Sequence, residues 1–272
     1  MHQRAGAVNC EGTGGIGEPM DPKRIITILD KVAQERGVSI IFACESGSRA
    51  WGFESPDSDY DVRFLYVRPV ADHLRLSPPD DTIEVPPADD LDISGWDVFK
   101  ACRLMRKSNP PLLEWLGSPI VYHEDAAVGG LRAIGRQHFS RRASAEHYLS
   151  MANMNHSKCT GRVRVVRKKY LYVLRPLACA RWLVERETFP PTAFEEVLAG
   201  VAGPDDVRQE IARLLADKKV NREMGEMAAL PVFQDFIEGE VVRLTAAIRT
   251  IPGTHFPEAP LNEWLAGVLD IP

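Results

Sequence analysis

The sequence predicts an α+β fold: a small mixed sheet with flanking helices, followed by an α-helical domain. Three observations predict it. Short apolar runs rich in β-branched residues are confined to the first half of the chain, whereas helical periodicity fills the second half from about residue 132 onward. At 272 residues and 44% hydrophobic composition, the chain can bury a substantial core and favours two modest domains over one. The expected division is an N-terminal extension over residues 1–19, an α+β domain over 20–131, and a helical domain over 132–272 ending in a short tail.

Residues 2–19 are rich in Gly and poor in apolar side chains, which predicts a disordered extension or an upstream misassigned start. Asp21-Pro22 then signals a helix, with Asp21 as N-cap and Pro22 in the first turn. Ile25, Ile28, Leu29 and Val32 recur at helical spacing, and Gly37 supplies the stop. Val38 to Cys44 is too short for a stable helix and reads as a buried strand. A Glu45-Ser46-Gly47-Ser48 turn and a loop over 52–58 lead to a second strand, Asp61 to Val67. Two further strands are expected near Thr82–Val85 and Leu91–Ser94, separated by a Pro86-Pro87 turn, and Asp97 caps a helix to about Lys107. Asn109-Pro110-Pro111 stops that helix, and Leu112, Leu113 and Leu116 begin another. Beyond it, helices are predicted over 140–154, 160–186, 204–219 and 231–250, with no strand among them.

Composition narrows the function classes. A net charge of -5 gives no global sign of a nucleic-acid binder, although a mild average can hide a local basic face. The five cysteines are odd in number and scattered, without a C-x-x-C, which argues against a disulfide framework or a zinc site and suggests a reducing cytoplasm. No apolar run reaches the roughly 18 residues a membrane helix needs, and no secretory signal pattern opens the chain.

The chemistry is concentrated in Ile41-Phe-Ala-Cys-Glu-Ser-Gly-Ser-Arg49 and Asp57-Ser-Asp-Tyr-Asp-Val62. A Gly-Ser turn entering a helix exposes backbone N–H groups and a hydroxyl, so Gly47 and Ser48 are suited to a triphosphate. Asp59 and Asp61 stand two apart at the head of a strand, which puts both carboxylates on one face. Such a pair repels itself until a divalent cation bridges it. Magnesium fits best, with manganese as the alternative, because it prefers hard oxygens and shares its sphere with phosphates. A third acid from a neighbouring strand is expected to complete the site. Asp92 is favoured and Glu84 is the alternative.

These stretches resemble the polymerase β-like nucleotidyltransferases, whose signature is a strand, Gly-Ser and then Asp-x-Asp. The longer match, through Glu45–Phe53, Ser58–Phe64, Leu91–Asp97, Lys107–Leu116 and Lys168–Pro176, resembles the RlaP-type family of RNA repair nucleotidyltransferases. The resemblance implies that Gly47 and Ser48 touch the triphosphate, that Asp59 and Asp61 bind both metals, and that Asp92 is the third carboxylate. It also implies transfer of a nucleotide to a hydroxyl, with an RNA 3′ end as the acceptor expected and a small molecule or protein as the alternative. A catalytically silent binding module is the reading from a different class, and the retained acids speak against it.

Between Lys158 and Arg175 lie seven basic residues and no acidic one. Wound as a helix, Val163, Val166, Tyr170, Val173, Leu174 and Leu177 form one apolar stripe, with basic edges available to triphosphate or an RNA backbone. Lys169 and Arg175 are the preferred ligands; a solvated charged face is the alternative. Arg49, beside the turn, would neutralise phosphate or pair with Glu45 or Glu54. Arg63, on the face of Asp59 and Asp61, would touch phosphate or pair with those acids. Trp51, Phe53, Trp96 and Trp115 are read as core, Cys44 as a small buried hydrophobe, and His147 and His156 as ordinary histidines.

Overall fold

A computed structural model describes residues 20–88, 90–158, 164–220 and 225–270. The expected extension, residues 1–19, lies outside them. The first half begins with α1 (Pro22–Arg36), capped by the Asp21 carboxylate on the Lys23 N–H and closed by Gly37 in the left-handed region at φ 62°. It continues through β1 (Ser39–Glu45), the single turn α2 (Gly47–Ala50), β2 (Tyr60–Val67), α3 (Val70–His73), β3 (Thr82–Ala88), β4 (Leu91–Asp97), α4 (Val98–Arg106), α5 (Pro110–Leu116), β5 (Val121–Glu124) and α6 (Ala126–His138). The second half holds α7 (Arg141–Ser157), β6 (Arg164–Val166), α8 (Arg167–Glu185), α9 (Phe194–Gly200), α10 (Asp205–Val220), β7 (Glu226–Ala228), α11 (Pro231–Thr250) and α12 (Ala259–Val268).

Five strands form one mixed sheet in the order β3-β4-β2-β1-β5, with β2 and β4 parallel and the other pairs antiparallel. Both faces are covered, which is why β1 reads as a continuous apolar run. On one face α1 packs Ile25, Leu29 and Val32 against Ala43, Val62, Phe64 and Tyr66. On the other, α4, α5, α6 and α12 pack Met105, Leu112, Leu131 and Leu261 against Phe42, Cys44 and Leu65. A separate helical core is built around α8 by α7, α9, α10 and α11, and Phe53, from the loop after α2, is buried in it.

Several expectations are corrected. The helix predicted from residue 160 begins at Arg167, because Arg164–Val166 pair with Glu226–Ala228 in a two-stranded ribbon; β-branched Val165 is buried there. The second half therefore contains strands. Pro86 and Pro87 lie within β3 and not in a turn, which is tolerated because β3 is an edge strand with one free side. Helix α8 runs through Pro176 without ending. The C-terminal segment is a helix, not a tail: α12 returns to α4 and α6, and Trp264 Nε1 donates to the Ala127 carbonyl at 2.8 Å. Helix α6 packs on the sheet as well, so the helical core starts at α7 and not at residue 132. No helix among the described residues is long and apolar enough to cross a membrane.

Candidate active site

The parallel pairing of β2 and β4 sets Asp61 directly beside Asp92 as register partners. Glu84 pairs with Ser94, one strand further out and one residue pair along, so Asp92 is the acid next to Asp61. Between the two carboxylates lies Arg63. Its Nη2 donates to Asp92 Oδ2 at 2.7 Å and to Asp61 Oδ1 at 3.1 Å, while Nη1 donates to the Asp92 carbonyl at 2.9 Å. Of the two roles open to Arg63 in the sequence, the structure shows the pairing one.

The turn that follows β1 is fitted to Asp61. Gly47 stands at φ 58°, and a Cβ built there would lie 1.9 Å from Asp61 Oδ2. Only glycine lets the backbone pass so close to the carboxylate. Behind the turn, buried Glu45 accepts the Asp61 N–H at 2.8 Å and the Tyr122 hydroxyl at 2.5 Å. Burial raises the Glu45 carboxyl above the ordinary range. Burial likewise raises Asp61; Arg63 opposes the shift, and repulsion from Asp92 and Asp59 adds to it.

Arg49 braces the loop ahead of β2. It donates to the Ser58 carbonyl at 2.7 Å and the Asp59 carbonyl at 3.3 Å, and its guanidinium sits 3.7 Å from the Tyr60 ring centroid. Neither Glu45 nor Glu54 is its partner. This arrangement turns Ser48, Asp59 and Asp61 into one cleft of about 300 Å³, whose other wall carries Lys168, Tyr172 and Lys218 from α8 and α10. A larger cavity, about 440 Å³, lies between α5, α6 and the loop before α9, and contains none of these acids. The smaller one is the candidate site, because chemistry and not volume selects it.

The basic segment is used differently from its sequence reading. Arg175 is 1% exposed inside the helical core, where Nη1 donates to Glu114 Oε1 at 2.9 Å and Nη2 to the Thr192 carbonyl at 3.1 Å. A guanidinium consumed there does not reach the cleft, so its assignment to phosphate is corrected. Lys169 is also not in the lining; its neighbour Lys168 is. Arg164 pairs with Glu226 and Arg167 with Asp217, acids that lie far along the sequence. Arg162 and Val163 fall outside the described residues. Lys218 and Glu45 were assigned no role from sequence. Lys218 was nevertheless signalled, since it continues the buried stripe Val207, Ile211, Leu214 of α10 at helical spacing.

The aromatic and cysteine readings agree with the structure. Trp96 stacks on Trp115 with centroids 3.7 Å apart, Phe53 is fully buried, and burial pushes the Cys44 thiol well above its ordinary range.

The donors suit a divalent cation in kind, being hard carboxylate oxygens. Among the described residues, however, no group of three or more acids, histidines or cysteines stands close enough to hold a metal. Arg63 stands between Asp61 and Asp92 and pairs with both.

Comparison with known proteins places this geometry. Residues 22–266 match the family described as RlaP, the RNA repair pathway DNA polymerase beta family. The chain is 41% identical over 230 residues to the uncharacterized protein YcgL of Bacillus subtilis (strain 168), covering 84% of this chain and 88% of that one. A nucleotidyltransferase-like protein from Exiguobacterium sibiricum 255-15 overlays 92% of this chain and 79% of its own at 13% identity, with a TM-score of 0.30 that is too low to carry an argument. With a match spanning nearly its whole length, and with the strand, Gly-Ser turn and acids in place, the chain belongs to the RlaP family of polymerase β-like nucleotidyltransferases.

Proposed function

We propose that the protein transfers a nucleoside monophosphate from a nucleoside triphosphate to the 3′-hydroxyl of an RNA end and releases pyrophosphate. The observation that carries the reading is the register pairing of Asp61 with Asp92 beside a glycine turn that admits nothing larger. In this reading Asp59, Asp61 and Asp92 would hold magnesium or manganese. Bound there, the ion would supply charge neutralisation at the triphosphate and acidify the attacking hydroxyl. The residues of the chain do the rest. Ser48 and the first-turn N–H groups of α2, which have no partner within a helix, face the phosphates. Gly47 keeps Asp61 in position, and Glu45 fixes its backbone. The acceptor oxygen forms its bond to the α-phosphorus as the bond to the bridging oxygen breaks. The hydroxyl proton passes to an acidic group of the cleft or to water.

The RNA acceptor rests on the family's description and on two lysines of the basic segment. Lys158 and Lys169 have no ion-pair partner among the described residues and are free to meet a phosphate backbone. The test is end labelling with each of the four triphosphates, magnesium, and RNA carrying a free or a blocked 3′ end. Label should pass from the α-phosphate to free ends only. Label on blocked ends, transfer from the γ-phosphate, or transfer only to a small molecule or protein would reject the acceptor assigned here.

A further inference from the structure

The cation on the helical wall of the cleft is compensated in an unusual way. Lys218 is 3% exposed, yet it has no hydrogen-bond or ion-pair partner among the described residues. Its Nζ lies 4.6 Å from the Phe53 ring centroid and 5.9 Å from that of Tyr172. A buried ammonium ordinarily draws a carboxylate to itself, and ring faces replace only part of the lost hydration. The charged groups around it do not make up the difference. Lys168 on α8 opposes its charge, while Asp57 and Glu54, on the loop before β2, favour it from beyond ion-pair distance. On its own helix, Asp217 is paired with Arg167 and Lys219 with Glu195. Tyr172 contributes a ring and a neutral hydroxyl, its ionisation suppressed by burial and by Asp61 and Asp59.

We propose that Lys218 is a binding residue for the terminal phosphates of the triphosphate, which it grips together with Lys168 from the wall facing Asp59 and Asp61. The identity of the anion rests on the nucleotidyl-transfer reading; the existence of an anion site rests on Lys218 alone. Phe53 has a second part in this arrangement. It leaves the loop between the Gly-Ser turn and Asp59, is buried in the helical core, and forms the floor under the ammonium. The phosphate site is thereby built from both halves of the molecule. Burial and Lys168 push the Lys218 ammonium down to about 8. A polyanion seated on it favours the charged form, so binding near that pH should take up a proton.

The experiment is calorimetric titration of magnesium tripolyphosphate into the full-length protein at pH 8.5, in two buffers of different ionisation enthalpy. Wild type, Lys218→Met and Lys218→Arg are compared, with thermal melting to establish that each is folded. Wild type should bind with proton uptake. Lys218→Met should bind at least tenfold more weakly without that uptake, and Lys218→Arg should keep most of the affinity. Equal affinity and equal proton uptake in wild type and Lys218→Met would overturn the proposal. The two readings fail separately. Tripolyphosphate binding that depends on Lys218, in a protein that turns over no triphosphate, would retain the anion site and reject the reaction; turnover with an unchanged triphosphate KM in Lys218→Met would do the reverse.

Discussion

Arg175 and Lys218 are two cations buried on neighbouring helices, 1% and 3% exposed, and they are compensated in opposite ways. Arg175 has the Glu114 carboxylate, the Thr192 carbonyl and the face of Trp51 at 4.3 Å. Glu114 in turn accepts the Tyr148 hydroxyl at 2.6 Å and Trp51 Nε1 at 3.0 Å. Because Trp51 follows directly on α2, this network fastens the Gly47-Ser48 turn to the helical core. Lys218 has two aromatic rings and, among the described residues, no acid in contact. A buried charge with a partner belongs to the frame; one without a partner is poised for a ligand. What separates them is the acid within reach, which here comes from a distant part of the chain.

The sharpest way to break this comparison is to remove each charge by the same substitution. Arg175→Met strands Glu114 in the core and should cost about 3–5 kcal/mol of stability, read from the denaturant midpoint. Lys218→Met should act with the opposite sign. The folded ammonium titrates near 8 against an ordinary 10.5. Between those values the unfolded chain holds more protons, so stability rises with pH through that window, and the cost is fully present below it. Removing the charge should therefore stabilise the protein at pH 7 by at most about 3 kcal/mol and flatten the rise between pH 8 and 10.5. Equal destabilisation by both variants would erase the distinction.

Two smaller effects sharpen the contrast between frame and site. Gly47→Ala meets Asp61 Oδ2 and a left-handed φ, so it should cost about 1–2 kcal/mol of stability. By shifting the carboxylate it should also slow turnover about 10²-fold. A variant as active as wild type would show that the closeness of Gly47 and Asp61 is immaterial. Arg49→Ala loses hydrogen bonds to the Ser58 and Asp59 carbonyls, and its expected cost is about 1 kcal/mol in thermal melting.

The legible parts of the molecule were those governed by local patterns. Asp21 and Asp97 cap the helices they were expected to cap, and α11 has the predicted bounds. Ser48, Asp59 and Asp61 line one cleft, and Asp92 stands beside Asp61. What could not be read depended on partners remote in sequence. The segment from Lys158 to Arg175 contains no acid, yet Glu114, Asp217 and Glu226 reach into it from elsewhere. Val166 fits a helical stripe as well as a ribbon, and its pairing with Glu226 decides between them. Lys218 lies where an apolar residue would complete α10, a departure from pattern that only the cleft explains.

In the proposed reaction Asp59, Asp61 and Asp92 would hold the metal, and one measurement tests that role most directly. Wild type and Asp61→Asn, shown to melt alike, are given α-labelled triphosphate, magnesium and RNA with free 3′ ends, and pyrophosphate release and RNA labelling are followed together. The expected result is matched release and labelling in wild type and a loss of at least about 10³-fold in the variant, the several kcal/mol that a metal-holding carboxylate contributes to such a transition state. Transfer by Asp61→Asn at the wild-type rate would contradict it.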